Sequence, residues 1–449
     1  MSEPPVGDSA PVRLLVAGDL HLGRMPARVP PGDAALDPAA VLSSAADLAL
    51  ARGVDALVLT GDLADASNKA FEAFGTLERV LRRLAEAGLP VFLVAGDHDF
   101  DVVPAVADAV GSPLVRVLGR GQTWDSAPVL RAGREVLRLV GWSFAGPQAA
   151  ESPLATYPAD APLPGVPLVG VLHADVDAPG SRTAPVALDA LRAVPVAAWL
   201  LGGAHDARMV PAGAAAGAPL VVSPGSLQPL APDEPGVHGA ALVTVHPDGR
   251  TTAERLPLAT VHYATVEVDL SDAADAAQAR ALCAAALREH AAAVREASPA
   301  VLRAVATVRL TGRTEAFDAV DALAAELRTD GDLPHAGLTV GVARVDVAAG
   351  PSLDLGRLAA GSGAVATLAR LSARLGTDGP LDEAALDASD RVLVARAVRA
   401  VRAARAARVF EPLGADGRLD DDVTAEATVR LRRQVSRLLG TAIAQNTDD

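Results

Sequence analysis

Five apolar runs in the first 258 residues end on the same kind of residue, and that regularity constrains the fold more than any other feature of the chain. VRLLVAG (12–18), DALVLTG (55–61), VFLVAG (91–96), PLVGVL (167–172) and VAAWLLGG (196–203) are each followed, at once or after one residue, by Asp, His or both. Runs of this length are strand-like. Between them lie amphipathic stretches such as residues 38–52 and FEAFGTLERVLRRLAEAG, whose closing Gly cap precedes Pro90. Strands alternating with helices predict a layered α/β domain over residues 11–258. Ligands of open α/β sheets sit at the carboxyl ends of the strands, so the five runs deliver polar side chains to a ligand-binding edge.

Beyond Pro257 the pattern changes. HYATVEVDLS and AVATVRLTGRT read as strands around an Ala-rich helix at 272–295, and a helix near 315–328 with the strand LTVGVARVDV completes a small α+β unit over 259–350. From 351 to 449 the chain reads as helical, interrupted at TDGPLDE and PLGADGRLDDD. Residues 1–10 read as a disordered tail without the basic start and apolar run of a signal peptide. No apolar stretch of roughly 18 residues that could span a bilayer occurs, and a soluble cytoplasmic protein is expected.

Half of the residues are apolar but only 3% are aromatic, so the core has to be built from Ala, Val and Leu. Cys283, the single cysteine, lies in ALCAAALREH, a buried helix position, and excludes a disulfide framework. A formal charge of −15 speaks against nucleic-acid binding by bulk electrostatics. Any such contact has to come from metal ions or a local basic patch. Arg396, Arg399, Arg402 and Arg405 form one basic band, which reads first as a solvated helix face and second as a phosphate or partner contact.

The residues after the strands carry the chemistry. Asp19 and His21 stand in AGDLHLG, Asp62 in TGDLAD, Asp97 and His98 in AGDHD, His173 in VLHAD and His205 in GGAHDAR. Four of the nine histidines occupy these slots, and His238, His246, His262, His290 and His335 read as structural. Mixed carboxylate and imidazole donors suit Mn²⁺, Fe²⁺ or Zn²⁺. A carboxylate bridging two ions about 3.5–4 Å apart makes a two-metal site for attack of water on phosphorus. Asp65, Asp99, Asp175 and Asp206 read as surface or supporting residues, and Ser223 and Ser226 as flanks of a Pro-Gly turn.

The order D-x-H, G-D-x-x-D, an H-D pair, a lone His after a strand and a final His resembles the calcineurin-like metallophosphoesterase superfamily. DLHLG, GWSF at 141–144, and SPGSLQ with PGVHGAALVTV at 223–245 are similar to SbcD-type DNA repair exonucleases. The resemblance covers residues 11–258. It implies a sandwich of two sheets flanked by helices, a capping-like α+β domain at 259–350, and a C-terminal segment that docks on an SMC-like ATPase of SbcC type. It further implies two divalent ions, Mn²⁺ by preference, DNA as substrate and a homodimer. Carried over by position, Asp19, His21, Asp62 and His205 would hold one ion, and Asp62, Asp97 and His173 the other. His98 would orient the phosphate or assist the leaving oxygen.

Two positions depart from the family pattern: Asp97 replaces an asparagine, and Gly203 replaces a histidine. Loss of that imidazole leaves water, Asp206 or Asp175 as a substitute, or else a weak second site. The expectation is a metal-dependent phosphodiesterase acting on DNA ends. Its alternatives are a small-molecule phosphoesterase and a catalytically weak scaffold subunit.

Overall fold

The computed structural model describes residues 10–67, 71–158, 165–178, 180–211, 218–329, 332–335, 337–352, 355–376, 380–406 and 419–447. The tail expected at 1–10, Ala10 apart, and most of PLGADGRLDDD lie outside the described residues. Internal contacts divide the chain into two units. The first holds the residues up to Ala264 with Ala291–Ala306 and Leu333–Gly341, and the second holds Thr265–His290, Thr307–Asp332 and Val342–Asp449.

In the first unit, β1 (Val12–Ala17), β2 (Ala56–Leu59), β3 (Val91–Leu93) and β4 (Val115–Val117) run parallel. A second sheet, ordered β5-β6-β7-β8-β10-β9, follows from β5 (Trp124–Arg131), β6 (Arg134–Trp142), β7 (Leu168–His173), β8 (Ala198–Gly202), β9 (Arg208–Val210) and β10 (Leu220–Ser223). Antiparallel β11 (Gly239–Val245) and β12 (Thr251–Pro257) then return to the free edge of β1, giving a first sheet ordered β12-β11-β1-β2-β3-β4.

Alternation of side chains explains why these strands are apolar throughout rather than at every second residue. Leu14, Val16, Ala56 and Val58 meet Val169, Val171, Ala198 and Leu200 in a core shared by both sheets. Their neighbours Leu15, Ala17, Leu57 and Leu59 face outward against Val41, Leu42, Leu77 and Val103. Those partners belong to α1 (Pro38–Arg52), α2 (Phe71–Glu86) and α3 (Val102–Val110). The other face of the second sheet buries Trp142, Leu172, Trp199 and Leu201 against Leu191 of α4 (Leu188–Ala193). This is the layered α/β domain of the sequence pattern, in the form of the two-sheet sandwich flanked by helices that the resemblance implies.

Helix boundaries follow local chemistry. Asp37 caps α1 by accepting from Ala39 N–H, Pro38 occupies the first turn, and Gly53 closes the helix at φ 57°. No helix among the described residues is long and apolar enough to cross a membrane.

After β12 come β13 (Val261–Asp269), α5 (Ala276–Ala297), β14 (Arg303–Thr311), β15 (Arg313–Thr314), α6 (Val320–Thr329), β16 (Leu333–His335), β17 (Leu338–Val347) and β18 (Gly350–Pro351). A four-stranded sheet runs β13-β14-β17-β16. Cys283 is buried on α5, and burial pushes its thiol up to about 11. The helical end comprises α7 (Leu355–Ala359), α8 (Gly363–Leu375), α9 (Ala388–Ala406) and α10 (Leu419–Thr447). Leu371 and Leu375 of α8 pack with Leu431 and Val435 of α10. Arg374 forks onto Asp390, with Nε to Oδ2 at 2.6 Å and Nη2 to Oδ1 at 3.1 Å. Arg396 and Arg399 are exposed on α9, while the side chains of Arg402 and Arg405 lie outside the described residues.

Trp199 is the largest fully buried side chain among the described residues, and its indole N–H donates to Leu191 O at 2.9 Å. Gly170 lies beneath it, where a Cβ would come 2.2 Å from the ring. Trp199→Ala is expected to cost about 3–5 kcal/mol. The check is the denaturant midpoint followed by circular dichroism, and an unchanged midpoint would remove this indole from the core.

Candidate metal centre

The loops after β1 and β2 are hydrogen-bonded to each other along their length: Asp19 N–H donates to Gly61 O (3.0 Å), Leu20 and His21 N–H to Asp62 O (2.8 and 3.0 Å), and Leu22 N–H to Leu63 O (2.8 Å). This pairing holds three non-glycine residues in the left-handed region, Asp19 at φ 48°, His21 at 51° and Asp62 at 50°. Each such residue costs about 1–2 kcal/mol, and such strain clusters at functional sites. Gly61, at φ 95°, allows a close approach, since a Cβ there would lie 2.7 Å from His173 Nδ1 and 2.8 Å from Gly96 N.

The end of β3 is fixed by two buried groups. Ser143, in the GWSF segment, accepts from Ala95 N–H (2.9 Å) and donates to Leu118 O (2.5 Å). Asp99 accepts from Leu63 N–H (2.6 Å) and Gly96 N–H (2.7 Å), tying the β2 and β3 loops together.

Around Asp62, three imidazoles share one arrangement. His173 Nδ1 lies 3.0 Å from Thr60 O, so its Nε2 faces Asp62 Oδ2 (3.6 Å) and Asp97 Oδ1 (3.3 Å). His205 Nδ1 lies 3.1 Å from Glu234 Oε1. His21 Nδ1 faces Asp65 Oδ2 at 3.5 Å, and its Nε2 lies 3.9 Å from Asp62 Oδ2 and 3.3 Å from His205 Nε2. Each ring thus turns Nε2 inward, and His173 and His205 are backed at Nδ1 by a carbonyl and a carboxylate, the orientation of metal-ligating histidines, while buried His21 Nδ1 makes no hydrogen bond.

Two groups of donors lie within 4.8 Å of one another, Asp19 with Asp62 and His173, and His21 with Asp62 and His98. Asp62 is common to both. The chemistry of the donors fits hard-to-borderline divalent cations.

Electrostatics follow from burial. Burial, opposed by His173 and reinforced by Asp62, pushes the Asp19 carboxyl up to about 7. Burial and the charge of Asp62 do the same to Asp99, also to about 7. Burial pushes the His21 imidazole down to about 4. It acts against the proton on His173 as well, but the charge of Asp62 and the hydrogen bond with Asp97 prevail and hold that ring well above its ordinary value.

All the residues picked out after the strands come together here. Asp97 reaches His173, and half-buried His98 lies at the rim with Nε2 3.9 Å from Asp97 Oδ2 and Nδ1 accepting weakly from Ala66 N–H (3.4 Å). Gly203, at φ 102°, supplies a backbone N–H to both oxygens of Asp19 (2.9 and 3.2 Å) where the family pattern has an imidazole. A histidine at this position would be strained, because its Cβ would sit 3.0 Å from Ala174 O in a conformation that favours glycine. Asp175 accepts from Ser181 and Thr183 within its own loop, and Asp206 is exposed. Asp65 and Asp99 are buried rather than surface residues. The Ser223 hydroxyl is buried without a hydrogen-bond partner, and Ser226 bonds to Glu234 and His238. Glu234 belongs to none of the strand-end motifs. Its only signal is position, in the short segment between SPGSLQ and PGVHG.

Residues 12–142 match the calcineurin-like phosphoesterase family. An uncharacterized metallophosphoesterase of Bacillus subtilis, YhaO, is 26% identical over 203 residues, 44% of this chain and 47% of that protein. The DNA double-strand break repair protein Mre11 of Sulfurisphaera tokodaii is 43% identical over 53 residues, 12% of this chain and 14% of that protein. The chain thus spans about half the length of the first curated relative and less of the second. Among solved structures, TT1561 of Thermus thermophilus aligns at 16% identity and TM-score 0.33, covering 55% of this chain and 99% of that one. A dimetal phosphatase from Danio rerio aligns at 14% identity and TM-score 0.34, covering 54% and 98%. The calcineurin-like match contains Asp19, His21, Asp62, Asp97 and His98; His173 and His205 lie beyond it and join the centre through the second sheet.

Stability of the metal-free protein should depend on pH in a defined direction. Asp19 and Asp99 titrate near 7 when folded and near 3.8 when unfolded, so near neutrality the native state holds protons that the unfolded chain has lost. Stability then falls as pH rises through the folded values. His173, raised above 6.5, acts in the same direction, while His21, lowered to about 4, opposes it at the acid end of this range, where its unfolded imidazole is still partly protonated, and fades as pH rises further. Chelator-treated protein is expected to melt at a lower temperature at about pH 8 than at about pH 6.5. A melting temperature that stays flat or climbs over that interval would contradict the assigned burial of these carboxyls.

Proposed function

We propose that this chain is a divalent-metal-dependent phosphodiesterase that acts on DNA ends. The observation that carries the phosphoesterase part is the gathering of three imidazoles by their Nε2 atoms at the carboxyl edge of the two sheets, His21 and His173 beside the Asp62 carboxylate and His205 against His21. The match of residues 12–142 supports the same chemistry. The DNA part is supported by the short stretch of likeness to a protein named for double-strand break repair.

In this proposal, which keeps the division of the family pattern although Asp19 lies grouped with Asp62 and His173, and His98 with His21 and Asp62, Asp19, His21, Asp62 and His205 hold one ion, and Asp62, Asp97 and His173 hold a second. Bound divalent cations supply Lewis acidity toward phosphoryl oxygens and an activated water. The protein's own contribution is to fix the donors, keep Asp62 between both groups, and place His98 at the rim. There its half-exposed ring reaches a phosphate oxygen or the departing oxygen of a bound diester. A net charge of −15 makes the ions and local arginines the points of phosphate contact.

The helical segment 351–449 is proposed as the docking site of an SMC-like ATPase subunit of SbcC type. Exposed Val392 and Leu393 on α9 and Val429 and Leu438 on α10 support this reading. Homodimerisation is proposed on the resemblance alone. Gly203 favours a second reading, a subunit with a weak second site kept for assembly, because it stands where the family pattern places an imidazole ligand of that site.

Metal stoichiometry separates these readings. Chelator-stripped full-length chain titrated with Mn²⁺ is expected to bind two ions, one tightly and one weakly, and to cleave linear duplex DNA faster than bis(p-nitrophenyl) phosphate. Asp62→Asn should abolish the tight site and lower cleavage by more than the ~10–100-fold typical of a supporting residue. Uptake near zero would remove the phosphodiesterase reading. Cleavage of the small diester alone would move the substrate to small molecules, and one ion without cleavage would favour the scaffold.

A further inference from the structure

The segment SPGSLQPLAPDEPGVHG at 223–239 is marked by resemblance yet has no chemical task in the scheme above. The structure shows what it builds. Ser226 N–H donates to His205 O (2.8 Å) and Leu227 N–H to Gly18 O (3.1 Å), so the segment is pinned to the loops after both β1 and β8. From there the chain returns Glu234 beneath His205. One carboxylate oxygen, Oε1, lies 3.1 Å from His205 Nδ1. The other, Oε2, accepts from Leu230 N–H (3.0 Å) and from the Ser226 hydroxyl (3.2 Å), which itself lies 2.8 Å from His238 Nδ1. Glu234 is 9% exposed, so it is a buried carboxylate with donors on both oxygens.

His205 differs from the other two rings. Its side chain is 33% exposed, against 3% for His21 and 3% for His173. Packing therefore restrains it least, and rotation about its outer torsion, a broad two-fold one, would present the wrong nitrogen to the centre. A hydrogen bond at Nδ1 removes that freedom and leaves Nε2 as the inward atom.

We infer that Glu234 is the positioning residue of the metal centre, holding His205 with Nδ1 as donor so that Nε2 faces His21 and the ion bound between them. The inference rests on the metal centre proposed above and adds to it a residue from outside the five strand-end motifs. Ser226, Leu230 and His238 act through Glu234 by fixing its carboxylate.

Isothermal titration of the chelator-stripped full-length chain with Mn²⁺ tests this on three variants. Glu234→Ala is expected to weaken the tight site ~10–100-fold. Glu234→Gln keeps an acceptor at the same reach and should bind closer to wild type than to the alanine variant. Glu234→Asp keeps the charge but withdraws the oxygen by one methylene, and should behave like alanine. Should the alanine variant fail to fold, the Gln and Asp variants decide the matter by themselves. Wild-type affinity in all three, or affinity kept by Asp and lost by Gln, overturns the positioning role, the latter by showing that charge alone matters. A wild-type chain that takes up no Mn²⁺ removes the metal centre and this inference with it, whereas normal wild-type uptake beside unchanged variants removes this inference only.

Discussion

A carboxylate enclosed by imidazoles is the interaction on which the first unit's architecture turns. Asp62 is 4% exposed and lies within reach of His21, His173 and the carboxyl of Asp19. Bringing such groups out of water is costly unless positive charge or hydrogen bonds compensate. The surroundings are built to do so. His173 and His205 each have an oxygen behind Nδ1, Asp19 receives the Gly203 amide, and His98 backbone N–H donates to Asp62 Oδ1 at 3.0 Å. Burial raises the Asp19 and Asp99 carboxyls in the bare protein, and a divalent cation beside Asp19 would favour its ionised form.

Holding that arrangement requires a stiff frame, and the two-sheet sandwich supplies it. Strands with both faces buried place their carboxyl ends in register, so Asp19, Asp62, Asp97 and His173 leave the sheets at one edge. The strained turns at Asp19, His21 and Asp62 persist because the β1 and β2 loops are hydrogen-bonded to each other. Local geometry that would be unfavourable in an isolated peptide becomes the lowest state once the core has closed around it.

Gly203 stands where the resemblance would place an imidazole, and the structure gives it a backbone contact with Asp19 instead. A backbone N–H now serves Asp19, and the left-handed conformation that presents it is one that few side chains adopt. The local backbone is thus set for glycine at this position. On the side of His205 the supporting residues remain, and Glu234 is joined to them by a segment that contributes no ligand of its own.

The layered fold was legible because strand and helix periods differ and the apolar runs were long. DALVLTG and PLVGVL could hardly be anything but buried strands, and they became β2 and β7. Site residues were legible where they followed such runs directly, as with Asp19, Asp62 and His173. Asp65 and Asp99 carried no periodic signal that distinguishes a buried carboxylate from a surface one, and Glu234 stood in a Pro-rich turn where an acid is unremarkable by composition. The sequence by itself therefore determined a layered α/β domain, the edge at which polar groups gather and the kind of donor gathered there, because hydrophobic period and residue type are local properties. Tertiary structure alone decided which nitrogen of each ring points inward, what holds it, and that Gly203 donates to Asp19 across 184 positions of chain. Those contacts depend on loop paths set by packing to within a fraction of an ångström, and no period in the sequence encodes them.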